Sequence, residues 1–406
     1  MRVAVVAEFY PRAADPVLGI WAHRQAVAAH DAGADVRVLV LHRPLPPLAA
    51  LRGGPAAALR ASARAAAQPP RATLDGIPIA YVPFLAPPRP RCYGDWGRWA
   101  APSLAVALRA LRRRFPYELV HAHNAVPAGE AVRRAGLAAP LVVSVHGGDV
   151  LHTAPRSPRG AEAVRAALHR AQLVLANSAG IEQRCRVLGA PATRVVHLGT
   201  DLPPQSARPY PHPTVVTTGH VVARKRHVDV LRAVALLRDR HPALRYLVVG
   251  DGPQREPLRR LAGELGIADR LELAGQLAPA DALARTRRAA LLAMPSTDEA
   301  FGVAYIEAMA GWRPAIGARG EPGPEEIAAA GGGMTLVPAG DVAALAGAID
   351  DLLRDERRLR AQGERARATV EESFSWSHCG AATVAAYEAA LWSISPAPHG
   401  ARLQSR

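Results

Sequence analysis

The sequence predicts an α/β protein built as two doubly wound domains facing a central cleft. Three observations carry this. Short apolar, β-branched runs alternate with longer helical stretches for nearly the whole length, the pattern of parallel sheets covered by helices on both faces. The alternation halts at residues 203–213, where five prolines forbid regular structure, and then restarts. The 406 residues suffice for two or three domains of roughly 100–200 residues each. In such domains ligands bind beyond the carboxyl ends of the strands, so the residues just after each strand are the ones to read.

Residues 3–7 (Val-Ala-Val-Val-Ala) are apolar without alternation, as a strand buried on both faces requires. Similar runs mark strands at 36–41, 119–122, 141–145, 173–176 and 195–198, with helical patterns between them at 21–32 and 104–113. Beyond the prolines the rhythm predicts strands at 214–218, 246–249, 271–274, 291–294 and 315–317. Helices are expected there at 228–238, 256–265, 302–310, 342–353 and 357–371. Residues 44–90 read as irregular. Within them, 48–68 fits either a basic amphipathic helix on a membrane or a long loop, because Gly53, Gly54 and Pro55 interrupt its pattern. A last helix over 380–393 is expected to cross back onto the first domain, and the tail 395–406 reads as disordered. The expected domains are thus 1–205, 206–376 and a returning helix at 377–395.

Hydrophobic residues make up 49% and charged residues 21%, which excludes a disordered chain. No apolar run approaches the ~18–20 residues that span a bilayer. The opening MRVAVVAEFYPR lacks the cleavage pattern of a signal peptide and reads as a first strand. Cys92, Cys185 and Cys379 are far apart and in no metal or redox spacing, which fits a cytoplasmic location and argues against a disulfide framework. Of the net charge of +15, a surplus of 13 falls in residues 1–205, where 25 arginines face 12 acids. This imbalance points either to an anionic partner for that half or to an arginine-rich composition without one. With only 5% aromatic residues and no recognisable module, nucleic acid is disfavoured as that partner. An NAD-dependent oxidoreductase is disfavoured too, since no glycine fingerprint follows the first strand.

The most specific segment is Ser296-Thr-Asp-Glu-Ala-Phe-Gly-Val-Ala-Tyr-Ile-Glu-Ala-Met-Ala310. Glu299 lies on a loop after a strand, and Glu307 lies about a turn inside the next helix. Gly302 between them lets the backbone approach a ligand, and the amides of a helix start favour phosphate. Either carboxylate can accept hydrogen bonds from neighbouring sugar hydroxyls. A second signal is Lys225, the one lysine among 50 basic residues, a compact ammonium where the chain otherwise uses guanidinium. His121-Ala-His123 puts two imidazoles on one strand face. Hydrogen-bonding roles are preferred for them over a metal, because no third ligand has suitable spacing.

EAFGVAYIEAMA resembles the Glu-x7-Glu signature of retaining glycosyltransferases of the GT-B fold, with two facing Rossmann-like domains. More narrowly it is similar to family 4, of the type that builds bacterial cell-surface polysaccharides, and the likeness runs from Met1 to Trp392. The resemblance implies that Glu307 holds the ribose of a nucleotide-sugar and Glu299 the hydroxyls of the transferred sugar. It also implies that the backbone at Phe301, Gly302 and Val303 meets the diphosphate. Thr218-Gly-His-Val-Val-Ala-Arg-Lys-Arg-His-Val-Asp229 matches a second family segment, Gly-Arg-Leu followed by Lys-Gly, whose Arg and Lys neutralise the leaving diphosphate. Lys225 aligns with that Lys. His220 stands in place of the Arg and Arg226 in place of the Gly, so Arg224 or Arg226 would supply the second charge. Val143-Ser-Val-His-Gly-Gly-Asp-Val150 matches a His-Gly-x-Asp motif, which implies His146 beside the donor sugar and Asp149 facing donor or acceptor. Gly250 and Gly252 resemble the turn near the nucleotide base. Pro322-Gly-Pro-Glu-Glu326 resembles a loop beneath the nucleotide, and Gly19, in Gly-Ile-Trp-Ala-His-Arg-Gln25, the acceptor side.

The implied activity is transfer of a sugar from a nucleoside diphosphate to an acceptor hydroxyl with retention, in polysaccharide or glycolipid synthesis. The acceptor would be a glycan or lipid-linked glycan, with peripheral contact to an anionic membrane. No Asp-x-Asp occurs, so no metal and no cofactor are expected. The competing reading is a catalytically weak nucleotide-sugar-binding partner of another glycosyltransferase.

Overall fold

The computed structural model describes residues 1–46 and 48–392. The chain forms two compact units. Among the described residues the first takes in 1–176, 182–196 and 380–392; the second takes in 177–181 and 197–379.

The first unit carries an eight-stranded sheet. Its strands are β1 (Arg2–Ala7), β2 (Asp35–His42), β3 (Arg71–Leu74), β4 (Ile77–Pro83), β5 (Leu119–His123), β6 (Leu141–Val145), β7 (Leu173–Ala176) and β8 (Thr193–Val195). Their order is β3-β4-β2-β1-β5-β6-β7-β8, and every pairing is parallel except that of β3 with β4. β1, β5 and β6 are buried almost end to end, which is why they read as unbroken apolar runs. The region expected to be irregular is largely regular. β3 and β4 form a hairpin whose turn, Asp75-Gly76, has positive φ at both residues (46° and 77°), the two-residue turn that this dipeptide favours. Residues Leu48–Arg52 and Pro55–Ala66 are helical, broken at Gly54, where φ is 90°. The strand expected at 195–198 is instead Thr193–Val195.

The second unit carries six parallel strands: β9 (Thr214–Thr218), β10 (Arg245–Val249), β11 (Leu271–Gly275), β12 (Leu291–Ala293), β13 (Ala315–Ala318) and β14 (Met334–Val337). Their order is β11-β10-β9-β12-β13-β14. Val215, Tyr246, Val248, Leu291 and Ile316 pack against Val230 and Val234 of helix His227–Leu236 and against Leu345 and Ile349 of helix Val342–Leu353. Residues 322–326, expected as a loop, begin helix Pro322–Ala330 with proline in its first turn, where the missing N–H costs nothing.

The division between units falls at 196/197 rather than at 205/206. Residues from His197 onward bond to the second unit. His197 reaches Glu326 at 2.7 Å, and the Thr200 amide donates to the Phe374 carbonyl at 2.9 Å. The proline-rich stretch lies on the same unit, held by Arg313 on Ser206 Oγ and the Ala207 carbonyl, both at 2.8 Å. The final helix is Trp376–Trp392. Its later part belongs to the first unit through Thr383, which accepts from Gln25 at 3.1 Å, and Tyr387, bonded to His121 at 2.7 Å. Residues 393–395 of the expected helix and the tail 395–406 lie outside the described residues. Among the described residues no helix is long and apolar enough to cross a membrane.

Candidate functional site

In the second unit the loops after β9 and β12 meet through the Thr297 amide, which donates to the Arg224 carbonyl at 2.8 Å. This sets Lys225, buried in the short turn Ala223–Lys225, against Glu299: Nζ stands 2.5 Å from Oε2. Ser296 Oγ donates to the same oxygen at 2.8 Å, Arg224 Nη1 lies 4.0 Å from it, and Met294 Sδ lies 3.5 Å from Nζ. The Glu299 amide donates to Glu321 Oε2 at 2.9 Å, which fixes the loop from the other side. Two cations thus share one carboxylate. Of the two, Lys225 is the buried charge, whereas the Arg224 guanidinium is partly exposed.

Glycines bring the surrounding backbone close. Gly302 has φ 93°, and a Cβ there would lie 2.3 Å from the Tyr305 ring; it caps helix Val303–Ala310, and its carbonyl accepts the Tyr305 amide at 2.9 Å. Phe301 is buried, side chain and backbone together: its ring stacks on His197 at 5.3 Å, and Gly323 packs so close to its backbone that a Cβ there would lie 2.2 Å from the Phe301 carbonyl oxygen. A Cβ on Gly250 would lie 2.0 Å from the Gly219 carbonyl oxygen, and one on Gly252 2.5 Å from that of Val221. These two glycines allow the loop after β10 to lie on the loop after β9. His220 is exposed. Arg226 adopts φ 54°, the left-handed region, and pairs with Asp229. Among the described residues Glu307 makes no hydrogen bond or ion pair, and burial pushes its carboxyl up to about 7 while Arg287 opposes the rise. A half-buried, unpaired carboxyl is suited to accept two hydroxyls.

In the first unit His146 follows β6. Its Nε2 lies 3.1 Å from His123 Nδ1, with the two rings stacked at 5.4 Å. Burial pushes His146 down to about 4, so it is a neutral imidazole at pH 7. Its Nδ1 and His123 Nε2 are buried without a partner among the described residues. His121 has both ring nitrogens engaged, by Tyr387 and Ser144 at 2.7 Å each. Asp149 is turned inward: its oxygens accept the amides of Ala125 at 2.8 Å and Val126 at 3.0 Å, and burial pushes it up to about 6. Gly19 has φ 63° and caps helix Ile20–Asp31; a Cβ there would lie 2.2 Å from the Phe9 carbonyl. Among the described residues no group of three or more His, Cys, Asp or Glu could hold a metal.

Residues 19–199 match the family model described as "Glycosyl transferase 4-like domain", and residues 200–369 match "Glycosyl transferases group 1". The chain belongs to the family 4-like GT-B glycosyltransferases. It is 37% identical over 199 residues to a D-inositol 3-phosphate glycosyltransferase from Nocardia farcinica, a match covering 47% of this chain and 42% of that protein. So the match spans less than half the length of this relative. It is 29% identical to a GDP-mannose-dependent phosphatidylinositol monomannoside mannosyltransferase from Mycolicibacterium smegmatis, covering 69% of this chain and 78% of that one. Among solved structures, a sucrose-phosphate synthase from Thermosynechococcus elongatus superposes with TM-score 0.75 at 22% identity, covering 97% of this chain and 100% of the other. HepE from Anabaena, in complex with UDP-glucose, gives 0.67 at 19%, covering 96% and 99%.

The second unit brings together Lys225, Arg224 and Glu299. Gly302 and Val303 sit at a helix start beside them in sequence, and Gly250 and Gly252 form a tight turn after β10. Arg226, the other candidate for a second charge, is committed to Asp229, whereas Arg224 faces Glu299. Asp149 differs from expectation, because its carboxylate holds the backbone after β5 rather than facing outward. Sequence reasoning assigned no role to Ser296 or Glu321, which hold Glu299; for His123 it expected a hydrogen bond without naming the partner, which is His146. Ser296 is three residues before Glu299, a spacing that allows a side-chain bond; Glu321 carries no local signal.

Proposed function

We propose that this chain transfers a sugar from a nucleoside diphosphate donor to an acceptor hydroxyl with retained anomeric configuration. The observation that carries the reading is the Lys225–Glu299 contact with Arg224 beside it, at a strand end next to the start of helix Val303–Ala310. The bond from the anomeric carbon to the diphosphate oxygen breaks, and the acceptor oxygen bonds to that carbon on the same face. The acceptor proton passes to the leaving phosphate oxygen. Lys225 and Arg224 stabilise the charge that develops on the diphosphate. Glu299 orients the transferred sugar, and Glu307 accepts the ribose hydroxyls. The acceptor belongs to the first unit.

The test is product formation, read by mass spectrometry, from UDP-glucose and GDP-mannose with glycan and lipid-linked acceptors. Lys225→Ala should lower turnover by about 100- to 1,000-fold, with an unchanged circular dichroism spectrum. Wild-type turnover in that variant would remove the electrostatic argument. A chain that binds donor without any turnover would instead be the weak binding partner.

The first unit also carries a feature suited to an anionic membrane. Helix Pro55–Ala66 exposes Leu59 (73%) beside Arg60 and Arg64, an apolar and basic face of the kind that lies in a lipid interface. Leu59→Glu should cut sedimentation with phosphatidylglycerol vesicles severalfold; equal binding to neutral vesicles would reject the idea.

A further inference from the structure

Asp75 stands in the exposed turn of the β3–β4 hairpin, yet its carboxylate completes a buried linkage. Its Oδ2 lies 2.9 Å from His23 Nε2, and His23 Nδ1 lies 2.8 Å from the Tyr10 hydroxyl. His23 belongs to helix Ile20–Asp31 and Tyr10 to the loop after β1, and both are fully buried. We infer that Asp75 is a positioning residue for the transfer reaction, acting through His23 on Tyr10 and so on the loop between β1 and helix Ile20–Asp31. The inference rests on the proposed transfer and adds to it a residue that acts through others rather than on substrate.

The linkage has one direction. A carboxylate only accepts, so Nε2 carries the proton. Burial holds His23 below its usual range, so the ring is neutral near pH 7 and Nδ1 is an acceptor. The Tyr10 hydroxyl therefore donates to it. Without Asp75 the ring is free to take its other tautomer, and an Nδ1–H then faces the phenol. The hydroxyl proton would need a new acceptor, and Tyr10 has no second one among the described residues. A buried donor left unpaired is costly, so Tyr10 would shift.

Tyr10 controls more than itself. A Cβ on Gly19 would lie 2.6 Å from the Tyr10 amide nitrogen, so the loop closes on itself with no space to spare. The neighbouring Phe9 ring meets Trp21 at 6.0 Å, and Trp21 meets His146 edge-on at 6.3 Å. The hairpin holds the loop at a second point, where the Tyr81 hydroxyl donates to the Pro11 carbonyl at 2.7 Å. A shift at Tyr10 thus passes through Phe9 and Trp21 to His146, which the sequence motif assigns to the donor sugar.

Two substitutions at one turn position separate the linkage from the turn. Glycine and asparagine both suit the positive φ of Asp75, but only Asp75→Asn keeps an oxygen that accepts from Nε2. With UDP-glucose or GDP-mannose and the acceptor that the wild-type chain uses, Asp75→Gly should lower kcat about tenfold. Donor KM should change less than about twofold, because Lys225 and Glu307 belong to the second unit. Asp75→Asn should keep roughly half of the wild-type kcat or more. Tyr10→Phe should match Asp75→Gly, and the double variant should be no slower than either, since links of one network are not additive. Wild-type kcat in Asp75→Gly, an equal loss in Asp75→Asn, or losses that multiply in the double variant would overturn the inference. Nitrogen-15 shifts of His23 give a readout apart from activity. At neutral pH the wild-type ring should be protonated at Nε2 alone and the Asp75→Gly ring should be a mixture of tautomers; one and the same tautomer in both would also overturn it. No transfer by the wild-type chain from any donor would sink the proposed function, and the shifts would still decide the linkage.

Discussion

Lys225 shows how far one residue can be read without a structure. Its being the lone lysine already suggested a task that guanidinium could not perform. The structure gives the reason: Nζ fits into a buried position between Glu299 and Met294 Sδ, while the broader Arg224 stays at the rim. Arg226 was harder to read. It stands where the resembling family has glycine, and its φ of 54° explains the preference, because only glycine reaches that region without strain. Glu307 carries a prediction of its own. Its carboxyl titrates near 7 in the native chain but near its ordinary acidic value when unfolded. The native state therefore keeps a proton that the unfolded chain has lost, so this group's contribution to stability declines as pH rises from about 4.5 through 7. Ionised, the same group accepts donor hydroxyls better. Donor KM should fall as pH rises through about 7, and Glu307→Gln should flatten that profile and raise KM roughly tenfold. An unchanged profile would remove Glu307 from the donor site.

The loop and helix built from residues 296–310 show which elements were legible. The Phe-Gly step inside them predicted a backbone close to a ligand; in the structure Gly302 is left-handed and buried, and the space beside it is taken by the Tyr305 ring. Gly302→Ala should cost about 1–3 kcal/mol through backbone strain and disrupt the helix start. A Tm within 1 °C of wild type would show that the loop yields. Periodicity located most of the parallel strands because two-sided burial leaves an unambiguous apolar run. It missed the edge hairpin β3–β4, whose alternation is weak and whose first strand is half exposed. The Asp75-Gly76 dipeptide was the usable signal there. Helices Leu48–Arg52 and Pro55–Ala66 remained ambiguous because glycine breaks them in the middle. What no pattern carries is the long-range pairing: Glu321 reaching the Glu299 amide, or His123 stacking on His146.

At the scale of the whole chain, the two units are not two consecutive halves. The first is completed only by residues from Gly380 onward, so its sheet stays uncovered at one place until the last helix is made. Tyr387, fully buried, is the keystone of that return, since its hydroxyl meets His121 Nδ1 at 2.7 Å on a strand of the first sheet. Burial holds His121 at about 3, so it stays neutral and needs a partner for each nitrogen. Tyr387→Phe keeps the ring's packing and removes only the hydroxyl, which leaves one buried imidazole nitrogen unsatisfied at a cost of about 1–3 kcal/mol. For a unit of this size that corresponds to a fall in Tm of roughly 2–4 °C per kcal/mol. The fall should appear in the transition that exposes the first unit, followed by hydrogen exchange at β5 and β6. Exchange in β9 and β12 should be unchanged, because none of their hydrogen bonds involves this helix. Equal loss of protection in both sheets would mean that the chain unfolds as one cooperative body and that the return helix serves more than the first unit.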